Sequence, residues 1–216
     1  RYIISGGKDR SLYLYKINME YDDAADTSSA SPFIPCAYLG KAHKRIIWDV
    51  AWITVDGIDV FSSVSRDGSV KIWKIGPDAD NRNMCKLVPL ASFNPFKDIA
   101  VTAVDVTPCD EVTLSSGAVQ SSGFLLAFGA ESGAIEVWFL SGEDLSSNGD
   151  NICTRVEAVP AEYCHGSAVR RLQWKSNCRS SKLNDSSSDS DAPTKIQLAS
   201  CGDDHYVPVF SVLPKF

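Results

Sequence analysis

The chain has no apolar run approaching the ~18–20 residues that span a bilayer, and no basic-then-apolar leader opens it. Nothing in it therefore marks a membrane or secreted protein. It has no excess of positive charge: 21 Lys and Arg stand against 27 Asp and Glu, for a net charge of −6 and a pI near 5.0. The dense Lys/Arg contacts that grip a nucleic-acid backbone are thus not expected, and any role with RNA would be local or indirect. Cys36, Cys85, Cys109, Cys153, Cys164, Cys178 and Cys201 include no CxxC pair and are odd in number. That suits reduced thiols in cytosol or nucleus better than a disulfide framework. Structural zinc is disfavoured as well, because Cys164 and His165 are adjacent and would diverge on a strand. Neither a metal nor a cofactor is expected. No GxSxG elbow occurs, and no stretch sustains a 3.6-residue period, so helix content should be very small.

What the chain does have is 44% hydrophobic residues, enough for a real core, and an internal repeat. Ser5–Ile17 (SGGKDRSLYLYKI), Ser63–Ile75 (SVSRDGSVKIWKI), Phe128–Leu140 (FGAESGAIEVWFL) and Ser200–Val212 (SCGDDHYVPVFSV) align without gaps. Each reads as a short apolar strand, a polar tight turn, and a second strand with period-2 alternation ending in an aromatic. The turn positions Asp9, Asp67, Ser132 and Asp204 lie 58, 65 and 72 residues apart, and Tyr15, Trp73, Trp138 and Phe210 each follow six residues later. Two hairpins are preceded by a His with a Trp nine residues on, His43 to Trp52 and His165 to Trp174.

The small residue, turn Asp, aromatic and upstream His together resemble the WD40 family, whose repeats run ~40–45 residues. The excess spacing is assigned to insertions rich in turn formers at Asp22–Pro35, Pro77–Lys86, Pro108–Ser122, Ser141–Asp150 and Ser176–Pro193. The last, at 176–193, reads as a disordered acidic, Ser-rich insertion. The resemblance implies an all-β, WD40-type β-propeller, about three and a half blades of a larger ring. It divides into a half blade at 1–18 and blades at 36–75, 87–140 and 156–213. The half blade has open strand edges, so a longer polypeptide is expected.

The resemblance also implies roles. His43, Ser63 and Asp67 could pass for a hydrolase triad, but their WD40 equivalents form a structural chain of hydrogen bonds. Here that chain would run Trp73–Ser63–His43–Asp67 in one blade and Ser200–His165–Asp204 in the last, where Phe210 cannot donate. The third hairpin has Lys97 at the His position and Ser132 at the Asp position, so packing alone should hold that blade. Positions that propellers present on their upper face carry over as Ile46, Trp48, Arg66, Ala168, Arg170, Asp203 and Lys8. Trp48 flanked by Arg45 and Arg66 has the composition of an interface hot spot, with Trp52 taking the buried aromatic place.

More narrowly, AHKRIIWDVAW at Ala42–Trp52, GGKDRSLYLY at Gly6–Tyr15 and GDDHYVPVF at Gly202–Phe210 are similar to the Elongator subunit 2 family. That resemblance implies a non-catalytic scaffold in a complex that modifies wobble uridines of tRNA. Its partners would be the large scaffolding subunit and the catalytic subunit, with tRNA met only indirectly and no small-molecule substrate. The alternative is a free-standing WD40 adaptor that reads a peptide or phosphorylated tail with Arg66, Arg170 and Lys8.

Overall fold

Alternating apolar residues make each repeat a half-buried antiparallel hairpin. In the first, Leu12 and Leu14 are fully buried while Tyr13, Tyr15 and Lys16 lie outside the core. The structure, a computed structural model, describes residues 1–18, 31–55, 58–79, 81, 84–113, 119–142, 145, 152–175 and 196–212. These form fourteen strands and one 3-10 turn, Ala161–Tyr163. No described helix is long and apolar enough to cross a membrane.

The strands make four antiparallel sheets. The first is β1 (Tyr2–Gly6), β2 (Leu12–Ile17) and β3 (Phe33–Leu39). The second is β4 (Ile47–Val55), β5 (Ile58–Ser65), β6 (Val70–Pro77) and β7 (Cys85–Phe93). The third is β8 (Val101–Thr113), β9 (Val119–Ala130), β10 (Ile135–Ser141) and β11 (Cys153–Ala158). The fourth is β12 (Val169–Trp174), β13 (Ile196–Gly202) and β14 (Val209–Val212). The first strands of successive sheets touch in order, β1 on β4, β4 on β8 and β8 on β12. Apolar clusters fill each gap between neighbouring sheets: Leu14 with Phe61 and Trp73, Val64 with Phe128, Leu125 with Leu198. Sheets stacked face to face around their first strands are the blades of a WD40-type β-propeller.

The sheets divide the chain at other places than the sequence repeat does. β3 pairs with β2, not with the hairpin that follows it, and β7 and β11 likewise close the sheets that precede them. The sheets therefore span 2–39, 47–93, 101–158 and 169–212 where the repeat had suggested 1–18, 36–75, 87–140 and 156–213. The reason is the free edge of each hairpin's second strand, which the outgoing chain satisfies before crossing to the next sheet. The 1–18 segment accordingly belongs to a three-stranded sheet. The assignment of Pro108–Ser122 to a loop is corrected too, because β8 and β9 stay paired as far as Thr113↔Val119. Pro108 is tolerated there since β8 is the edge of its sheet. The 176–193 tract lies outside the described residues.

Candidate functional site

The tight turns share a backbone solution. The residue after the turn position has positive φ in all four hairpins: Arg10 (69°), Gly68 (81°), Gly133 (91°) and His205 (64°). At Gly133 a side chain would also strike the His165 carbonyl of the loop entering the next sheet, so the turn and that loop can close together only around glycine. Within the second and fourth sheets the turn Asp lies beside the loop His, Asp67 by His43 and Asp204 by His165.

In the second sheet the result is a continuous, one-directional chain. The Trp73 indole donates to Ser63 Oγ at 2.8 Å, and Ser63 Oγ lies 2.7 Å from His43 Nε2. His43 Nδ1 lies 3.0 Å from Ser69 Oγ, which donates to Asp67 Oδ1 at 2.5 Å. An indole can only donate and a carboxylate can only accept, so the protons between them are assigned: Ser63 O–H to Nε2 and Nδ1–H to Ser69. His43 is thus the neutral Nδ1–H tautomer. Ser69, two residues beyond the turn Asp, is the link the sequence reading missed; Asp67 sits 3.5 Å from Nδ1. Burial lowers the His43 pKa to about 4 against the pull of Asp67. Burial raises Asp67, but bonds from the Ser69 hydroxyl, the Ser69 and Lys44 amides, and His43 outweigh it and hold the carboxyl at about 2. Ser63 is fully buried and already accepts from Trp73, so this Ser, His and Asp offer no exposed nucleophile.

These shifts give a pH dependence with a definite sign. The folded pKa of His43 lies below its ordinary 6.5, so the unfolded chain binds the proton the folded site refuses. Stability is expected to fall from 6.5 down to about 4, and then further as Asp67 protonates between 3.8 and about 2. Thermal melts across this range check it; a profile flat from neutral pH down to about 4 would contradict the assignment.

In the fourth sheet His165 Nε2 lies 2.7 Å from Ser200 Oγ and Nδ1 lies 2.8 Å from Asp204 Oδ1. The chain stops at Ser200, because Phe210 offers no donor. Phe210 borders a cavity of about 280 Å³ with Val137, Tyr163 and Val212. Phe210→Trp should therefore find room, donate to Ser200 and stabilise by roughly 1 kcal/mol, read as a raised melting temperature. An unchanged or lowered value would mean that the indole cannot reach.

The third sheet corrects the expectation of packing alone. Trp138 donates to Glu136 Oε2 at 2.9 Å, Glu136 pairs with Arg155 at 3.3 Å, and the Trp138 ring stacks on Phe93. Thr102 Oγ1 donates to the Val169 carbonyl at 2.6 Å across to the fourth sheet. The signal was present in EVW, where Glu136 and Trp138 share a strand face. Two further links were missed: Asp49 on β4 accepts from the Val104 amide, and Asp105 on β8 accepts from the Trp174 amide at 2.6 Å. Burial pushes both carboxyls up. An Asp inside the otherwise apolar openings of β4 and β8 was the available clue.

The upper-face residues are brought together only in part. Arg66 N–H donates to the Ile46 carbonyl and Ile47 N–H to the Gly7 carbonyl, which joins the loops carrying Lys8, Arg45, Ile46 and Arg66 at the start of β4, where Trp48 stands. Trp48 is 43% exposed, and Lys8, Arg45 and Arg66 are exposed around it, with Ile46 half-buried. Trp52 is not the buried aromatic expected; it is 36% exposed and meets Phe61 edge-on, while Phe61 and Trp73 fill the interior. Arg170 stands apart on β12 with both guanidinium contacts on Asp203, at 2.7 and 2.5 Å, and Ala168 is buried. Among the described residues no group of three or more His, Cys, Asp or Glu could hold a metal ion.

No family model matches the chain. It is similar to Elongator complex protein 2 of Schizosaccharomyces pombe, 34% identical over 68% of this chain and 16% of that protein. The Arabidopsis thaliana protein of the same name is 34% identical over 79% of this chain and 17% of its own length, and that of Mus musculus 28% over 98% and 24%. The chain thus spans between a sixth and a quarter of the length of these relatives.

Proposed function

The chain belongs to the Elongator complex protein 2 family, and from that premise we propose that it is a non-catalytic scaffold segment of the Elongator complex. It supports tRNA wobble-uridine modification through protein contacts, touches tRNA only indirectly, and works in cytosol or nucleus. The partners proposed are the complex's large scaffold subunit and its catalytic subunit. The observation that carries the reading is Trp48, exposed at 43% among Lys8, Arg45 and Arg66 on loops tied to one another by backbone bonds. A rigid aromatic with cationic neighbours is the composition that dominates interface energetics. The catalytic reading is disfavoured because Ser63 and His43 are buried and spend their polar atoms on each other and on Trp73 and Ser69.

The adaptor reading needs Arg170 as a free anion-binding group alongside Arg66 and Lys8, whereas Arg170 is already paired bidentately with Asp203. Salt separates the two readings. A scaffold held by a desolvated aromatic contact should co-purify at fixed stoichiometry through high salt, while a charged tail contact should be lost. Dissociation from every partner subunit at high salt would favour the adaptor.

A further inference from the structure

The junction between the first and second sheets holds a pair of thiols that the hydrogen-bond chains leave aside. Cys36 on β3 and Cys85 on β7 lie where these two outer strands meet, in one apolar cluster with Tyr2. The Tyr2 hydroxyl is 3.8 Å from Cys85 Sγ, and Cys36 Sγ donates to the Leu14 carbonyl at 3.4 Å. Cys36 is buried and Cys85 half-buried. Burial, and then the Cys85 thiol beside it, push the Cys36 thiol up to about 11; the contact with Cys85 and then burial push Tyr2 up to about 12. The three side chains thus meet in one packed cluster across the sheet boundary.

We propose that Cys36 and Cys85 are an oxidation site, closing under a peroxide to a disulfide that staples the first sheet to the second. Cys85 is the more accessible thiol and reacts first. Its sulfur, giving up its proton, attacks one peroxide oxygen; the O–O bond breaks, leaving Cys85 sulfenic acid and one water from hydrogen peroxide. The Cys36 sulfur then attacks the Cys85 sulfur, the S–O bond breaks, and the departing hydroxide leaves as water with the Cys36 proton. Two thiols and one peroxide become one disulfide and two waters. Cys109, Cys153, Cys164 and Cys201 belong to the third and fourth sheets or the loop between them and serve as internal controls.

The test treats the full-length protein with hydrogen peroxide, alkylates the remaining thiols and maps peptides without reduction. The expected result is a peptide pair joined through Cys36 and Cys85, with both thiols losing most of their alkylation together and regaining it after dithiothreitol. Cys85 advancing to sulfinic acid while Cys36 stays alkylatable would overturn the proposal, as would either thiol joining another cysteine or neither reacting. Cys36→Ser, melted beforehand to check its fold, should leave Cys85 as a sulfenic acid that dimedone traps; if it does not fold, the wild-type map decides alone.

Discussion

Replacing His43 by alanine is expected to destabilise the protein by roughly 1–3 kcal/mol, the usual cost of leaving buried polar partners unsatisfied. His43 is 2% exposed and sits in the middle of its chain, accepting from Ser63 and donating to Ser69. Its removal leaves the Ser63 hydroxyl without its acceptor on one side and the Ser69 oxygen without its Nδ1–H donor on the other. The loop entering β4 loses its central anchor with it, leaving the Lys44 amide bond to Asp67 and the bonds from Ser65 and Lys71 to the Arg45 and Ala42 carbonyls. A thermal melt of the full-length protein checks the effect. An unchanged melting temperature would mean that the chain of bonds contributes nothing. His43→Gln is the informative companion, because its terminal amide offers both donors and an acceptor but cannot reach Ser63 and Ser69 on two sides as the imidazole does.

Much of this arrangement could be read from residue types and spacing. The turn Asp, the strand Ser and the aromatic six residues beyond the turn fix one another's places, because a hairpin of constant length puts them on one face. His43 and His165 follow by resemblance, and the structure places each between a Ser and an Asp. What escaped was whatever depends on contact between sheets. Ser69 looks like any turn serine until the His43 ring is laid over it. Asp49 and Asp105 look like misplaced charges until the next sheet presents a backbone amide to each. Trp52 looked like core because its spacing matches Trp174, which is 3% exposed, yet in the second sheet its cross-strand partner Phe61 on β5 fills the space. Sheet boundaries were shifted for the same reason: the repeat marks hairpins, while pairing is decided by which free edge the outgoing strand meets.

The second large effect is on binding. Trp48→Ala should weaken association with a large partner subunit by about 2 kcal/mol or more, on the order of 30-fold in Kd, while leaving the fold intact. The fold should survive because Trp48 lies at the register shift between Ile47 and Asp49, where β4 skips one residue against β5 and turns the indole outward. The neighbours that do carry the core, Ile47 at 3% and Ile53 at 1% exposed, point inward on either side. Arg45 and Arg66 around the indole would add electrostatic steering, so Arg66→Ala is expected to slow association and reduce its salt dependence more than it changes the dissociation rate.

The scaffold account rests on whether this exposed face is where the complex is held, and one paired measurement reaches that point. Full-length wild-type and Trp48→Ala proteins are used to capture the large scaffold subunit in high salt, and the melting temperature of each is recorded in parallel. The account predicts lost capture with an unchanged melt; undiminished capture by Trp48→Ala, or a lowered melt showing that the indole supports the fold, would contradict it.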